Sequence, residues 1–347
     1  MQIEREQLSV LLNALYDAGE ERITVAHPSE DIGDLVTIHL EDDAEATVTF
    51  EQGPTTYHDR REDVRRAYGD GPAEDLPDPN EFLRSVVGTG LVPPENQDEI
   101  EAFLDRHTHP DLHAGHRPVM IGIDQNLLGH RIPEMLDIDP RTGSTDGQDR
   151  PPTTGYALST GVREELDWKF TNHDTRELEA AFGEEFDRVE NQPKGDRRRG
   201  LLGAAEYRAR LAYRGTDEVE SDRGDEAIVD AYADYDEGNR KRVMLFSNDY
   251  GFVERAHEAD VWAQHVDFPV DLPRTAQGSW EQVTRLVYVL SVLFGVVTLP
   301  KVTVFGVWTG KDGLDWQEER LECDVRSPVV APEIERDLEL VRAFGEL

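Results

Sequence analysis

The chain has 347 residues, of which 36 are Lys or Arg and 73 are Asp or Glu, giving a formal charge of −37. That length allows two or three domains and an ample core, while the negative field leaves local arginine patches as the electrostatic route to a nucleic acid. The single cysteine, Cys323, excludes an internal disulfide and a cysteine-rich zinc module, and reads as a small core residue of a strand.

Only five of the basic residues are lysines: Lys169, Lys194, Lys241, Lys301 and Lys311. This surplus of Asp and Glu resembles the proteins of halophilic archaea, which keep multi-molar salt in the cell. There the Debye length falls to roughly 3 Å, so an acidic surface no longer repels itself. The opening Met1-Gln-Ile-Glu-Arg-Glu is too charged for a secretory signal, and a cytoplasmic location is the expectation.

Residues 1–117 read as a small α+β accessory region. Gln7–Tyr16 has helical apolar spacing, and Arg22–Ala26, Leu35–Leu40 and Ala46–Phe50 alternate as strands. A polar loop is expected over 51–80, then helices near 80–88 and 96–106. Residues 118–268 alternate strand and helix, as a doubly wound α/β domain with a parallel sheet does. Residues 269–347 form a C-terminal extension. It holds an apolar helix over Trp280–Gly295, a hairpin beginning at Lys301–Trp308, a strand over 316–325 and a charged helix over Glu333–Phe344. The uncharged run Leu286–Pro300 is shorter than the roughly 20 residues a bilayer requires, so a buried helix and no membrane partner are expected.

Four acids mark the middle region. Asp124 ends Val119-Met-Ile-Gly-Ile and is followed by Gln125-Asn126-Leu-Leu. Glu165 lies in Gly161-Val-Arg-Glu-Glu-Leu166. Asp225 opens Asp225-Glu-Ala-Ile-Val-Asp-Ala231. Asp249 follows Val243-Met-Leu-Phe-Ser-Asn. Acids that end apolar strands lie where parallel sheets gather function, and crowded carboxylates call for a divalent cation. An all-oxygen set suits Mg²⁺ or Mn²⁺.

In their order these motifs resemble the PIN-domain nucleases: Asp-x-Asn after the first strand, Glu-Leu on a helix, Asp-x-x-Ile-x-x-Ala opening a helix, and Ser-x-Asp after a later strand. The resemblance covers about 118–267. Gln125 departs from it, standing where a small hydroxyl residue is usual, and the stretch between Glu165 and Asp225 is longer than in compact members.

The resemblance implies a PIN-like fold and a Mg²⁺- or Mn²⁺-dependent endoribonuclease with RNA as substrate. Asp124 and Asp249 would be direct metal ligands, Asp225 a ligand or a holder of coordinated water, Glu165 would orient the attacking water or bind a second ion, and Asn126 and Ser247 would fix the carboxylates. Glu164 and Glu165 point about 100° apart on a helix, so only one faces the site. An inactive PIN-fold module that binds RNA or protein is the alternative. A phosphatase of haloacid-dehalogenase type is a second, with Asp124 as nucleophile, although Asn126 stands where that class wants another Asp.

Lys194–Arg214 carries seven basic residues against two acidic ones. Arg197, Arg198, Arg199, Arg208 and Arg210 are expected to meet phosphates, and Tyr207 and Tyr213 to stack bases. The histidines His107, His109, His113 and His116 read as a linker, with a zinc site the alternative. A homodimer stays open as a partner state.

Overall fold

The computed structural model describes residues 1–41, 44–132, 136, 153–166, 175–212 and 215–345. Lys169, Tyr213 and Arg214, named above, lie outside these. In chain order the strands begin with β1 Gln2–Glu4, β2 Arg22–Ala26, β3 Asp34–Leu40 and β4 Glu45–Phe50. Then come β5 Val119–Ile123, β6 Gly155–Ser159, β7 Asp217–Val219, β8 Arg242–Ser247 and β9 Trp262–His265. Last are β10 Thr275–Ser279, β11 Val296–Leu299, β12 Val302–Phe305 and β13 Arg320–Val325.

The chain divides into two compact units. One comprises Met1–Val92, Lys169–Arg198 and Asp271–Leu347, the other Pro93–Trp168 and Arg199–Val270. This replaces the three successive regions expected from the sequence. The N-terminal and C-terminal strands pair with each other in the first unit, as one antiparallel sheet of order β1-β13-β12-β11-β2-β3-β4-β10. Its strands alternate as half-buried strands do: in β4, Ala46, Val48 and Phe50 are buried.

The apolar helix Trp280–Phe294 also belongs to this unit. Ser279 and Gln282 form its capping box, and Gly295 ends it with φ +79°. It touches β4, β10, β11 and β12 and the helices Leu8–Asp17 and Pro79–Val87. Surrounding contacts of this kind account for a helix apolar on every face. Among the described residues no helix is long and apolar enough to cross a membrane. Residues 51–80, expected as loop, contain the helices Pro54–Tyr68 and Asp70–Asp75. Pro at the first helical position starts the longer one. Its buried side chains are only Pro54, Tyr57 and Val64, too sparse a stripe to read as helical.

The second unit is an all-parallel five-stranded sheet of order β7-β6-β5-β8-β9. Strands β5 and β6 are buried along their whole length, which explains the unbroken apolar run of β5. A Cβ on Gly122 would come within 2.2 Å of the Leu245 side chain, so glycine keeps the packing against β8 close. Helices Gln97–His107, Asp225–Gly238 and Tyr250–Glu258 flank the sheet. The first packs onto it through Phe103, whose ring lies 5.7 Å from Phe246.

Counted within this unit, the strand order is third, second, first, fourth, fifth. The chain winds one way from β5 through β6 to β7, then returns to β8 on the other side of β5. Such a reversal opens a crevice at the carboxyl ends of the two central strands, which here are β5 and β8.

Candidate active site

Asp124 leaves β5 at that reversal, with its backbone N–H donating to Phe246 O of β8 at 3.0 Å. It caps the short helix Gln125–Leu128, Oδ1 accepting from the Gln125 N–H at 2.6 Å. Oδ2 accepts the Ser247 hydroxyl at 2.6 Å. Ser247 Oγ in turn accepts from Asn126 Nδ2 at 3.3 Å and from the Asp249 N–H at 2.9 Å. Asn126 Oδ1 accepts the Asn248 N–H at 3.2 Å. The ends of β5 and β8 are thus tied by one polar network, in which Ser247 bonds the Asp124 carboxylate and Asn126 bonds Ser247 and the Asn248 backbone.

Asp124 is only 5% exposed. Burial pushes its carboxyl up to about 6; the bonds from Ser247 and Gln125 oppose that shift, and the charges of Asp225 and Glu165 add to it. These three acids therefore share one electrostatic neighbourhood.

Glu165 ends the helix Thr160–Glu165. Ser159 caps that helix and meets Ser221 Oγ at 2.6 Å, while the Thr160 hydroxyl donates to Ser221 O at 3.1 Å. This latch holds the 221–224 turn beside the helix. Glu165 Oε1 then accepts the Gly224 N–H at 2.8 Å, at the positive end of the helix that Asp225 opens. Glu165 is half-buried, whereas Glu164 is exposed beside Arg223. Asp225 Oδ2 lies 3.6 Å from Arg255 Nη1. A hollow of about 550 Å³ is lined by Arg223, Gly224, Asp225, Glu226, Asp230 and Arg255 among others.

Asp249 joins the group differently. It is exposed and caps the helix Tyr250–Glu258, Oδ1 accepting from Gly251 N–H at 2.7 Å and Phe252 N–H at 3.3 Å. Its link to Asp124 runs through Ser247. Among the described residues no group of three or more His, Cys, Asp or Glu side chains converges as metal ligands do. The expected meeting of Asp124, Asp225 and Asp249 at one point thus differs from the side-chain positions: Asp249 is turned to its helix and Asp225 to Arg255. The donors remain all oxygen, and Asp124 has the desolvated charge that a hard cation relieves.

The arginine stretch is corrected more strongly. Within the helix Gly195–Leu211, Arg198 is completely buried. It donates to both carboxylate oxygens of Asp75 at 2.9 and 2.8 Å, and to the carbonyls of Pro193, Asp75 and Leu293. Tyr207 is 1% exposed, with its hydroxyl donating to Glu218 at 3.1 Å. Arg210 is buried on Glu206, which also faces Arg131 at 3.3 Å. These three side chains are internal structure, with no surface for a phosphate or a base. Arg208 is exposed, and Arg197 and Arg199 are half-buried. Arg197 belongs to the first unit and Arg199 and Arg208 to the second.

His107 ends the helix Gln97–His107 and stacks 4.1 Å from the Trp262 ring; His109 and His116 line a hollow with it at the amino ends of the strands. Arg255 and Ser221 were missed from the sequence. Arg255 carries no motif, and a serine in a polar turn gives no sign of latching two elements. Comparison with known proteins returns no matching family model, no matching curated relative and no matching solved structure.

Proposed function

We propose that the second unit hydrolyses RNA phosphodiester bonds with the help of Mg²⁺ or Mn²⁺, as the PIN-domain nucleases that its motifs resemble do. The observation that carries this reading is the desolvated Asp124 carboxylate at the sheet's reversal point, held by Ser247 and raised by Asp225 and Glu165. Buried acids set at the mouth of such a crevice are the usual mark of a reactive centre.

Asp124 would hold the ion directly. Asp225, Glu165 and Asp249 would reach it through bound water, in keeping with Mg²⁺, which usually keeps several waters and takes one or two carboxylates. The ion supplies a bound water of lowered pKa and a clamp on phosphate oxygens. Ser247 and Asn126 fix the direction of the Asp124 lone pairs. Arg223, exposed, and Arg255, half-buried beside Asp225, would meet phosphate oxygens.

The test is cleavage of single-stranded RNA in multi-molar KCl with Mn²⁺, alongside the shift in melting temperature that Mn²⁺ induces. Wild type should cleave and be stabilised by Mn²⁺, and Asp124→Asn should do neither. Equal cleavage by both would end this assignment. The second reading, a module that binds RNA without cutting it, is favoured by one contact: Arg255 already neutralises Asp225. It would be recognised by RNA binding without cleavage and without a Mn²⁺ effect on stability.

A further inference from the structure

Tyr250 directly follows Asp249 and is 64% exposed, although it opens a helix whose Phe252, Val253 and Ala256 are buried. Its ring stands edge-on to His265, with centroids 5.9 Å apart and planes at 72°. His265 is itself fixed: it ends β9, and its Nε2 meets the Asn248 carbonyl at 3.1 Å. Asn248 is held in turn by Asn126 and by Val266 O, to which its Nδ2 donates at 2.8 Å. The aromatic pair is therefore tied to the same network that orients Asp124.

The position along the sheet gives the pair its meaning. Strands β5, β8 and β9 are consecutive, so Asp124, Tyr250 and His265 follow one another along a single carboxyl edge. Neighbouring strands lie about 4.8 Å apart, which puts His265 roughly two such steps from Asp124. An edge-on partner supports the tyrosine ring while leaving it a face to offer. Packing does not require this residue, since an exposed side chain at a helix start adds little to the core. The chain as a whole carries a formal charge of −37, which limits phosphate contacts and leaves stacking unaffected.

We infer that Tyr250, backed by His265, is a stacking platform for an unpaired nucleobase next to the phosphate held at Asp124. This rests on the RNA-cleaving reading above and adds to it the means by which the strand is positioned. Base–aromatic stacking is indifferent to base identity and does not weaken as salt screens the phosphates. Tyr250 is therefore a positioning residue that acts on the base and leaves the reacting atoms to the acids.

The test uses the full chain carrying Asp124→Asn, so that RNA stays intact, in multi-molar KCl. Anisotropy titrations compare oligouridine with oligo(dihydrouridine), whose saturated, non-planar base stacks poorly. Oligouridine should bind about tenfold more tightly, the size expected for one stacked base. Tyr250→Ala should lose that preference by weakening oligouridine alone, and Tyr250→Phe should keep it. Equal affinity of the Tyr250→Ala protein and its parent for oligouridine would overturn the platform, as would a preference that persists without the ring. Cleavage in the Asp124-intact protein separates the two claims. Activity with an indifferent Tyr250 sinks the platform alone, whereas a wild type that neither binds nor cleaves RNA sinks the parent reading and the platform with it.

Discussion

Ser247 donates its hydroxyl proton to Oδ2 of Asp124 across 2.6 Å, joining the carboxyl ends of the two central strands of the parallel sheet. The Ser247 Oγ itself accepts the Asp249 N–H, so one atom sets the direction of one acid and the backbone of another. Ser247→Ala should cost about 1–3 kcal/mol of stability, because a buried carboxylate oxygen and an N–H lose their partner. It should also weaken Mn²⁺ binding by about 10–100-fold, the usual effect of removing an orienting group behind a ligand. Denaturant unfolding with and without Mn²⁺ measures both. Unchanged stability would show that the hydroxyl is dispensable.

The Asp124 carboxyl titrates near 6 in the folded chain, against an ordinary 3.8. The folded state then binds the extra proton between those values. Its contribution to stability is greatest below about 4, falls as the pH rises toward 6, and is level above that. In metal-free protein at pH 7, Asp124→Asn should therefore be more stable by about 1–3 kcal/mol, the free-energy equivalent of that shift. The gain should vanish at pH 4 and be reversed by saturating Mn²⁺. A variant less stable than wild type at pH 7 without metal would contradict this account.

Arg198 and Asp75 form a fully buried ion pair with further bonds to three carbonyls. Arg198→Ala should destabilise the protein by about 3–5 kcal/mol, since it strands the Asp75 charge. Arg208→Glu, at an exposed position, should stay within about 0.5 kcal/mol. If Arg198 met RNA instead, its replacement would lower RNA affinity and leave the melting temperature in place.

His27 sits among the rings of Phe182, Phe186 and Phe294, and its Nδ1 accepts the Ser29 N–H at 3.1 Å. Burial, with the nearby Arg198 charge, holds its pKa down to about 3. The unfolded chain takes a proton near 6.5 and the folded chain does not. Stability from this group is complete above 6.5 and falls by about 1.4 kcal/mol per pH unit as the pH drops toward 3. His27→Phe, if it packs, should flatten that part of the profile. A variant that retains the full acid slope would place its origin elsewhere.

The acids that end β5 and β8 were readable because a strand buried on both faces needs an unbroken apolar run, so the first charged residue after it marks the sheet's edge. Asp225 was readable as the opening of a helix whose Ile228 and Val229 face inward. The eight-stranded sheet was not readable, since nothing in Gln2–Glu4 names Arg320–Val325 as its partner. Strand pairing is a relation between distant segments, whereas local pattern reports only burial. Arg198, Tyr207 and Arg210 misled for a similar reason. Charge and aromatic content suggest an exposed face unless the counter-charges on Asp75, Glu206 and Glu218 are known to lie beside them.

The position of β1 at the outer edge of its sheet has a consequence for biosynthesis. Gln2 pairs with Glu322, and the Met1 ammonium reaches the Cys323 carbonyl at 2.8 Å. Strand β1 must therefore wait until β2 to β12 have all been made before its partner β13 exists. In the same interval all of β5–β9 has emerged, and the parallel sheet has every strand it requires. Translation thus favours an order in which the acid-bearing sheet closes while the antiparallel one is still open at β2. Contacts of such long sequence separation are slow to form, and unpaired edges invite association in the meantime. A ribosome stalled before residue 320 would carry a chain whose parallel-sheet unit can be complete and whose other unit cannot.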